Sequence, residues 1–589
     1  MRLVSPFPEM NAEHLAALAV CLSFYALLAI SCYGWGAAVM RVLPRDSLRG
    51  ADACQVVWLG WAMMLLCLQL LHLFVAVDWK VSCLVFGGGL LAAIPRLAGS
   101  LRARHPLHAW HFAIGALFLV FSVWLGSRAM ASPENYDSGL YHLNKIRWIN
   151  SYPVVPGLGN LHGRLAFNQS FFTYVAALNL HPWFGHGRSI ANSFLVLLAA
   201  ATFMVMMRPL FARFSTAVRA HPFMHLPALI LTPALIYGAL RSPDLSSPSP
   251  DLTSLVLQLV IFALLLQLIG GMKAGDDKAG FRIFLLGVLA ATAVTIKLSN
   301  IVFCLTAWML MAGTVWVLRS PRELLATTVA SSAIILTWGV HGMILAGVPL
   351  YPSTLGYVPF DWAVPREMIH EEALVVYAWA RLPGDDWRAV LENWDWFGPW
   401  LKEFLRHKTS TLFPLLISAP FAAIVLIMMV ADLRRRRWRV EYLVILPPCI
   451  ALTYWFFSAP SIRFAFGILM VLPASLILVA LAYWQSMSAR KAYLPLVFGC
   501  CLMGTGHYLQ FFIRHQFEFA NMSTSGWQPV SKAVLVERTT RSGLLVHTPA
   551  SGDQCWDSPL PSTPYFNDSL TLRRKGDPAS GFRIEKGGH

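Results

Sequence analysis

Long apolar stretches separated by short basic turns dominate the chain. Segments 15–30, 190–207, 252–269, 412–430 and 464–484 approach or reach the ~20 residues that a helix needs to cross ~30 Å of hydrocarbon. Helices satisfy their own backbone polar groups in lipid, which favours them as spanning elements. The ~10-residue alternating segments of a membrane β-barrel are absent from the sequence. The pattern predicts an all-α polytopic membrane protein with about 14 spans.

The polar positions then orient the spans. Arginines cluster between apolar runs at Arg41/Arg45/Arg49, Arg96/Arg102/Arg104, Arg208/Arg213/Arg219 and Arg434–Arg437. Positive charge in short loops marks the cytoplasmic side. This places 131–189, 241–251, 346–409 and 513–589 outside. Segment 167–184 is the weak point of the scheme, and it reads better as helices at the outer surface than as a span. The outside pieces are rich in Trp, Tyr, Phe and Pro, which suits packed loops over a cavity better than disorder.

Composition narrows the classes. The chain is 57% hydrophobic and 13% charged, with a net charge of +16. A nucleic-acid binder would carry its basic residues on one exposed domain; here they lie between spans, so no nucleic-acid partner is expected. The ten cysteines show no CxxC or Cys/His cluster, and no metal-ligand set is predicted from them.

The richest stretch is 132–172, SPENYDSGLYHLNKIRWINSYPVVPGLGNLHGRLAFNQSFF. Pro133 and the Asn-Tyr-Asp-Ser-Gly run break the fourth span. Leu140, Leu143, Ile146 and Ile149 recur every three residues with Trp148 beside them, predicting an amphipathic helix in the membrane interface. Pro153, Pro156, Gly157 and Gly159 end it in a rigid turn. Asp137 and Glu134 thus stand at the outer membrane edge, followed by His142, Lys145, Arg147, His162 and Arg164. A carboxylate there can take a proton from an attacking hydroxyl, and the cations can hold a phosphate. The alternative is that both acids only cap the helix.

Three more residues stand out. Asp251, in RSPDLSSPSPDLTS, is either a helix cap or a second carboxylate for an acceptor or a divalent cation. Lys297 ends an apolar span in VTIKLSN, either snorkelling to the surface or meeting a lipid phosphate. Arg463 lies outside between two spans, where the positive-inside pattern gives it no place, so it is a candidate phosphate ligand. Arg241 and His341 are weaker candidates.

These residues resemble the GT-C superfamily, the multi-span glycosyltransferases that use polyprenyl-phosphate sugars. The resemblance rests on Glu134-Asn135-Tyr136-Asp137 in a first outer loop, Asp251 in the second, and Lys297-Leu298-Ser299. It implies a three-span extension (1–110), a GT-C-like catalytic module (111–345) with its first outer loop at 131–189, a large outer loop (346–409), C-terminal spans (410–512) and an extracytoplasmic tail (513–589). It also implies Asp137 as general base, and Glu134, His142, Lys145, Arg147, Arg164, Asp251, Lys297 and Arg463 as substrate or phosphate ligands. The implied partners are a polyprenyl-phosphate-linked sugar and a glycan, lipid or protein acceptor. The implied setting is a bacterial inner membrane with the site facing the periplasm. No cofactor is required, although a divalent cation fits the acids. Rival readings are a lipid-linked glycan flippase, a polysaccharide polymerase or ligase, and a non-catalytic assembly subunit.

The strings at 136–170, 247–252 and 552–567 also resemble an uncharacterised bacterial multi-pass membrane-protein family. There a second Cys stands in the region of Leu560-Pro561-Ser562-Thr563-Pro564, where this chain has Ser562. No disulfide to Cys555 is therefore expected.

Overall fold

The computed structural model describes residues 11–43, 51–102, 109–212, 221–274, 279–318, 321–486 and 525–585, with single residues at 499 and 506. The chain begins with α1 (Ala12–Met40), α2 (Ala53–His72), α3 (Trp79–Arg102) and α4 (Ala109–Ala129), all largely apolar. Glycine sets how closely the first three pack. A Cβ on Gly60 would lie 1.6 Å from the Cys32 carbonyl oxygen, and one on Gly34 would lie 1.8 Å from that of Gly89. Small residues let helix backbones approach where lipid offers no hydrophobic drive to association.

Six long helices follow the first loop: α7 (Gly187–Ala212), α8 (Pro222–Arg241), α9 (Pro250–Ala274), α10 (Ala279–Ile296), α11 (Ile301–Leu318) and α12 (Pro321–Ala346). The last three described are α16 (Phe413–Arg434), α17 (Leu446–Ser458) and α18 (Ile462–Ser486). α9 is apolar all round and buried along its apolar length, as a central helix must be. It packs against α7, α8, α10, α11 and α18.

Among the described residues twelve helices are long and apolar enough to cross a membrane, so the chain is a multi-pass membrane protein. α4 has a shorter apolar stretch, Ile114–Ala129. The expected last span, ending near residue 512, lies almost wholly outside the described residues. Segment 167–184 does not span: its helix α6 (Phe171–Leu178) has eight residues, all buried.

The four expected outside pieces gather into one cap. The first holds a π turn (Ser138–His142), α5 (Leu143–Ser151), two short 3-10 turns and α6. The third holds α13 (Arg366–Trp379), α14 (Trp387–Leu391) and α15 (Phe397–Arg406). The tail forms two antiparallel pairs, β1 (Leu535–Thr539) with β2 (Leu545–Pro549) and β3 (Leu570–Leu572) with β4 (Phe582–Ile584).

One guanidinium links three of these pieces. Buried Arg188 donates to the carbonyls of Ala131 (2.9 Å), Ser246 (2.7 Å) and Gln528 (2.7 Å). Asn192, one turn further along α7, donates to the carbonyls of Asp244 (2.8 Å) and Ser249 (2.9 Å).

The expectation of an interfacial α5 is corrected by the tail. Trp148 is buried, its ring 5.7 Å from Phe582 of β4, and Asn144 donates to Ser562 at 2.5 Å. The polar face of α5 is covered by protein, so this helix lies inside the cap and Trp148 anchors the tail.

Candidate active site

Short polar side chains shape the loop that carries Asp137. The Ser247 hydroxyl accepts from the backbone N–H groups of Glu134 (3.0 Å) and Asn135 (3.1 Å). The Asn135 side chain donates to Asp244 at 2.6 Å and accepts from the Asp137 N–H at 2.9 Å, closing an Asx turn. Loop 131–189 is thereby hooked onto the loop before α9, and the Asp137 carboxylate is aimed at the start of α18.

Arg463, in the first turn of α18, meets it there. Its Nη1 donates to Asp137 Oδ2 at 2.7 Å. Arg164 approaches the other oxygen, Oδ1, at 3.5 Å, and its Nε lies 3.8 Å from Glu372 Oε1 on α13. The Asp137 side chain is 11% exposed, whereas that of Arg463 is 41% exposed. Burial alone would push the Asp137 carboxyl up; Arg463 foremost, with His142 and Arg164, outweighs it and holds the group at about 2. Burial pushes Glu372 up, with Arg164 opposing.

A second pair lies beside the first. Lys297, between α10 and α11, forms an ion pair with Asp251, and its Nζ sits 4.2 Å from the ring centre of Phe464. Asp251 is held over the bundle because it stands in the first turn of the central helix α9. Asp244 is buried, and burial with the neighbouring Asp251 charge pushes its carboxyl up.

A cavity of about 840 Å³ opens against both pairs. Asn135, Asp244, Asp251, Arg381, Trp400 and Arg463 are among the residues that line it. Trp400 is fixed by its Nε1–H donating to the Pro460 carbonyl at 2.7 Å. Of the six tryptophans in 346–409, Trp379 and Trp400 line this cavity. Among the described residues no cluster of three or more His, Cys, Asp or Glu suits a metal ion.

The structure thus brings together Asp137, Arg164, Arg463, Asp251 and Lys297, which lie far apart in sequence. His142 is adjacent but wedged between Tyr141 (4.4 Å) and Phe172 (5.0 Å), and burial lowers it to about 4. Three expected phosphate or substrate ligands point elsewhere. Glu134 pairs with Arg128 at 3.4 Å. Lys145 is buried with its Nζ donating to the Leu165 carbonyl at 2.5 Å, and burial lowers it to about 7. Arg147 is directed to the tail, where it meets Asp557 at 3.1 Å. His341 sits deep between α2 and α12, 2.9 Å from the Gln69 carbonyl oxygen. The Arg241 side chain lies outside the described residues.

Residues 18–470 match a family described as a domain of unknown function, DUF8201. The chain belongs to this family. No curated protein and no solved structure matches it. The matched stretch holds Asp137, Arg164, Asp251, Lys297, Glu372 and Arg463, whereas the described part of the tail lies beyond it.

Sequence reasoning missed Glu372, Arg188 and the bonds from the tail to the first loop. Glu372 is hidden beside Glu371 on an amphipathic helix, where acids are ordinary. Arg188 begins an expected span on its outer side, the signal that singled out Arg463. Tyr136 donates to Asp553 of the tail, and the Trp556 N–H donates to the Gly139 carbonyl at 2.8 Å. Cys555 beside them is a buried free thiol, which burial pushes up to about 12.

Proposed function

We propose that the chain is an integral membrane glycosyltransferase of the GT-C type, seated in a bacterial inner membrane with its site facing the periplasm. It transfers a sugar from a polyprenyl-phosphate-linked donor to an acceptor hydroxyl. The observation that supports this reading is a buried carboxylate, Asp137, held between Arg463 and Arg164 beside a cavity of about 840 Å³. Arginine is the side chain suited to phosphate, which it can bind through two parallel hydrogen bonds.

The reaction is an inverting displacement. The acceptor oxygen attacks the anomeric carbon as the bond from that carbon to the phosphate oxygen breaks. The bonding pair leaves with the polyprenyl phosphate, and Asp137 takes the acceptor proton. Arg463, Arg164 and Lys297 are the groups within reach of the developing phosphate charge. Because the leaving group is already a stabilised anion, the step needs no metal in principle. Trp379 and Trp400 offer faces on which a sugar ring can stack.

Asp137→Asn, assayed for sugar transfer from a polyprenyl-phosphate donor in reconstituted membranes, is expected to abolish transfer without loss of the fold. Near-normal transfer by that variant would sink the base assignment. Transport of a lipid-linked glycan by the wild type without transfer would favour a flippase instead.

A further inference from the structure

A carboxylate held at about 2, by Arg463 foremost, is a weak base at neutral pH. We infer that Asp137 is a built-in stand-in for phosphate: it occupies the arginine site of the empty protein, and an incoming phosphate group takes Arg463 from it and so frees it to accept a proton. This rests on the transferase reading for the proton step, but the anion site stands on the geometry alone.

Three observations carry it. The first is access. Arg463 lines the cavity and is 41% exposed, while Asp137 behind it is 11% exposed. An anion arriving through the cavity meets the guanidinium before the carboxylate. The second is charge matching. Arg463 faces Asp137, Lys297 faces Asp251, and Arg164 lies between Asp137 and Glu372. Each of these cations already has a carboxylate beside it, so an incoming phosphate competes with that carboxylate for the cation. The third is slack. Arg164 lies 3.5 Å from Asp137 and 3.8 Å from Glu372, both longer than the ~2.7–2.9 Å of a tight charged hydrogen bond. It is shared between the two acids and can lean toward Glu372, whose Oε1 has no hydrogen-bond partner among the described residues. The Asp137 backbone stays fixed through its bond to Asn135, so the exchange needs only side-chain rotation.

The chemical consequence is a coupling. Without Arg463 the buried Asp137 carboxyl feels desolvation with only His142 and the more distant Arg164 opposing it, which favours proton uptake. The base therefore becomes competent when a phosphate is in place. The ligand chemistry is a phosphate ester, either a lipid headgroup or a free phosphate.

The test is binding to the purified full-length protein, measured by titration calorimetry with farnesyl phosphate, inorganic phosphate and farnesol. Asp137→Asn is expected to bind farnesyl phosphate about tenfold or more tightly than wild type, because the resident anion is gone. Arg463→Gln is expected to bind it about tenfold or more weakly. This second variant still offsets Asp137 through Arg164, so it keeps the inference testable if the Asn variant does not fold. Tightening toward farnesyl phosphate alone makes the lipid chain part of the ligand. Tightening toward inorganic phosphate as well shows that the site reads the phosphate group. Unchanged or weaker binding by Asp137→Asn overturns the inference, as do wild-type binding by Arg463→Gln and equal tightening toward farnesol. If the Asn variant tightens while wild type shows no transfer, the anion site survives and the transferase reading fails.

Discussion

Removing Arg463 leaves a largely buried carboxylate short of its strongest partner, and the structure sets the expected cost. Breaking a fully buried ion pair from one side costs ~3–5 kcal/mol, whereas exposed pairs are worth ~0.2–1 kcal/mol. This pair lies between those limits, with Asp137 11% and Arg463 41% exposed. The depression of Asp137 from an ordinary ~3.9 to about 2 gives a second measure. That net depression, set by Arg463, His142 and Arg164 against burial, is worth ~2–3 kcal/mol, and the share of Arg463, screened at its half-open side chain, is set at ~1–2 kcal/mol. A cycle of Arg463→Gln, Asp137→Asn and the double variant, unfolded in a denaturing-detergent titration, should give that coupling at neutral pH. The pH arm has a definite sign. A carboxylate whose pKa is depressed by folding adds stability above its unfolded value, and that stability is lost as pH falls through the folded value. The coupling should therefore shrink between pH ~4 and ~2. A coupling below ~0.5 kcal/mol at neutral pH, or one unchanged across that window, would refute the assignment.

Other expectations follow from the cap. Lys145 is lowered by burial to about 7, so the unfolded chain holds more protons than the native one above that value. Thermal stability should rise with pH from ~7 toward ~10, and Lys145→Met should flatten the rise. Gly139→Val should undock the tail, since a Cβ there would lie 2.7 Å from the Trp556 ring; a loss of ~1–3 kcal/mol and faster tryptic cleavage within 525–585 are expected. Arg188→Met removes three hydrogen bonds from a buried guanidinium, and a loss of ~3 kcal/mol or more should appear in the same detergent titration. Little change would mean that the three carbonyls find water.

The sequence made the bundle legible because lipid imposes one rule on every span, and charge at a span end breaks that rule visibly. Arg463, Lys297 and Asp251 stood out for this reason, and the structure places them in one cluster with Asp137. The same logic went unused at Arg188. Within the cap the signal fades. Lys145 and Arg147 are neighbours in sequence, yet one is buried on a carbonyl and the other reaches the tail. Their chemistry is set by tertiary cover, which no local pattern encodes. The three-residue spacing of α5 correctly gave a helix, but spacing cannot say whether lipid or protein covers it. Glu372 shows the limit most plainly. An acid on an amphipathic helix carries no mark until Arg164, from another loop, is found beside it.

The Asp137–Arg463 bond joins residues 326 positions apart. During insertion the loop that bears Asp137 emerges long before the helix that bears Arg463. Until α18 is in place, this carboxylate lacks its strongest partner and stands beside Arg164 of its own loop and water. The bond can close only once the intervening helices have threaded in the right order, and its closure also depends on Ser247 and Asn135 having met. The pair thus marks completed assembly: a chain with a misplaced span would keep this acid without Arg463.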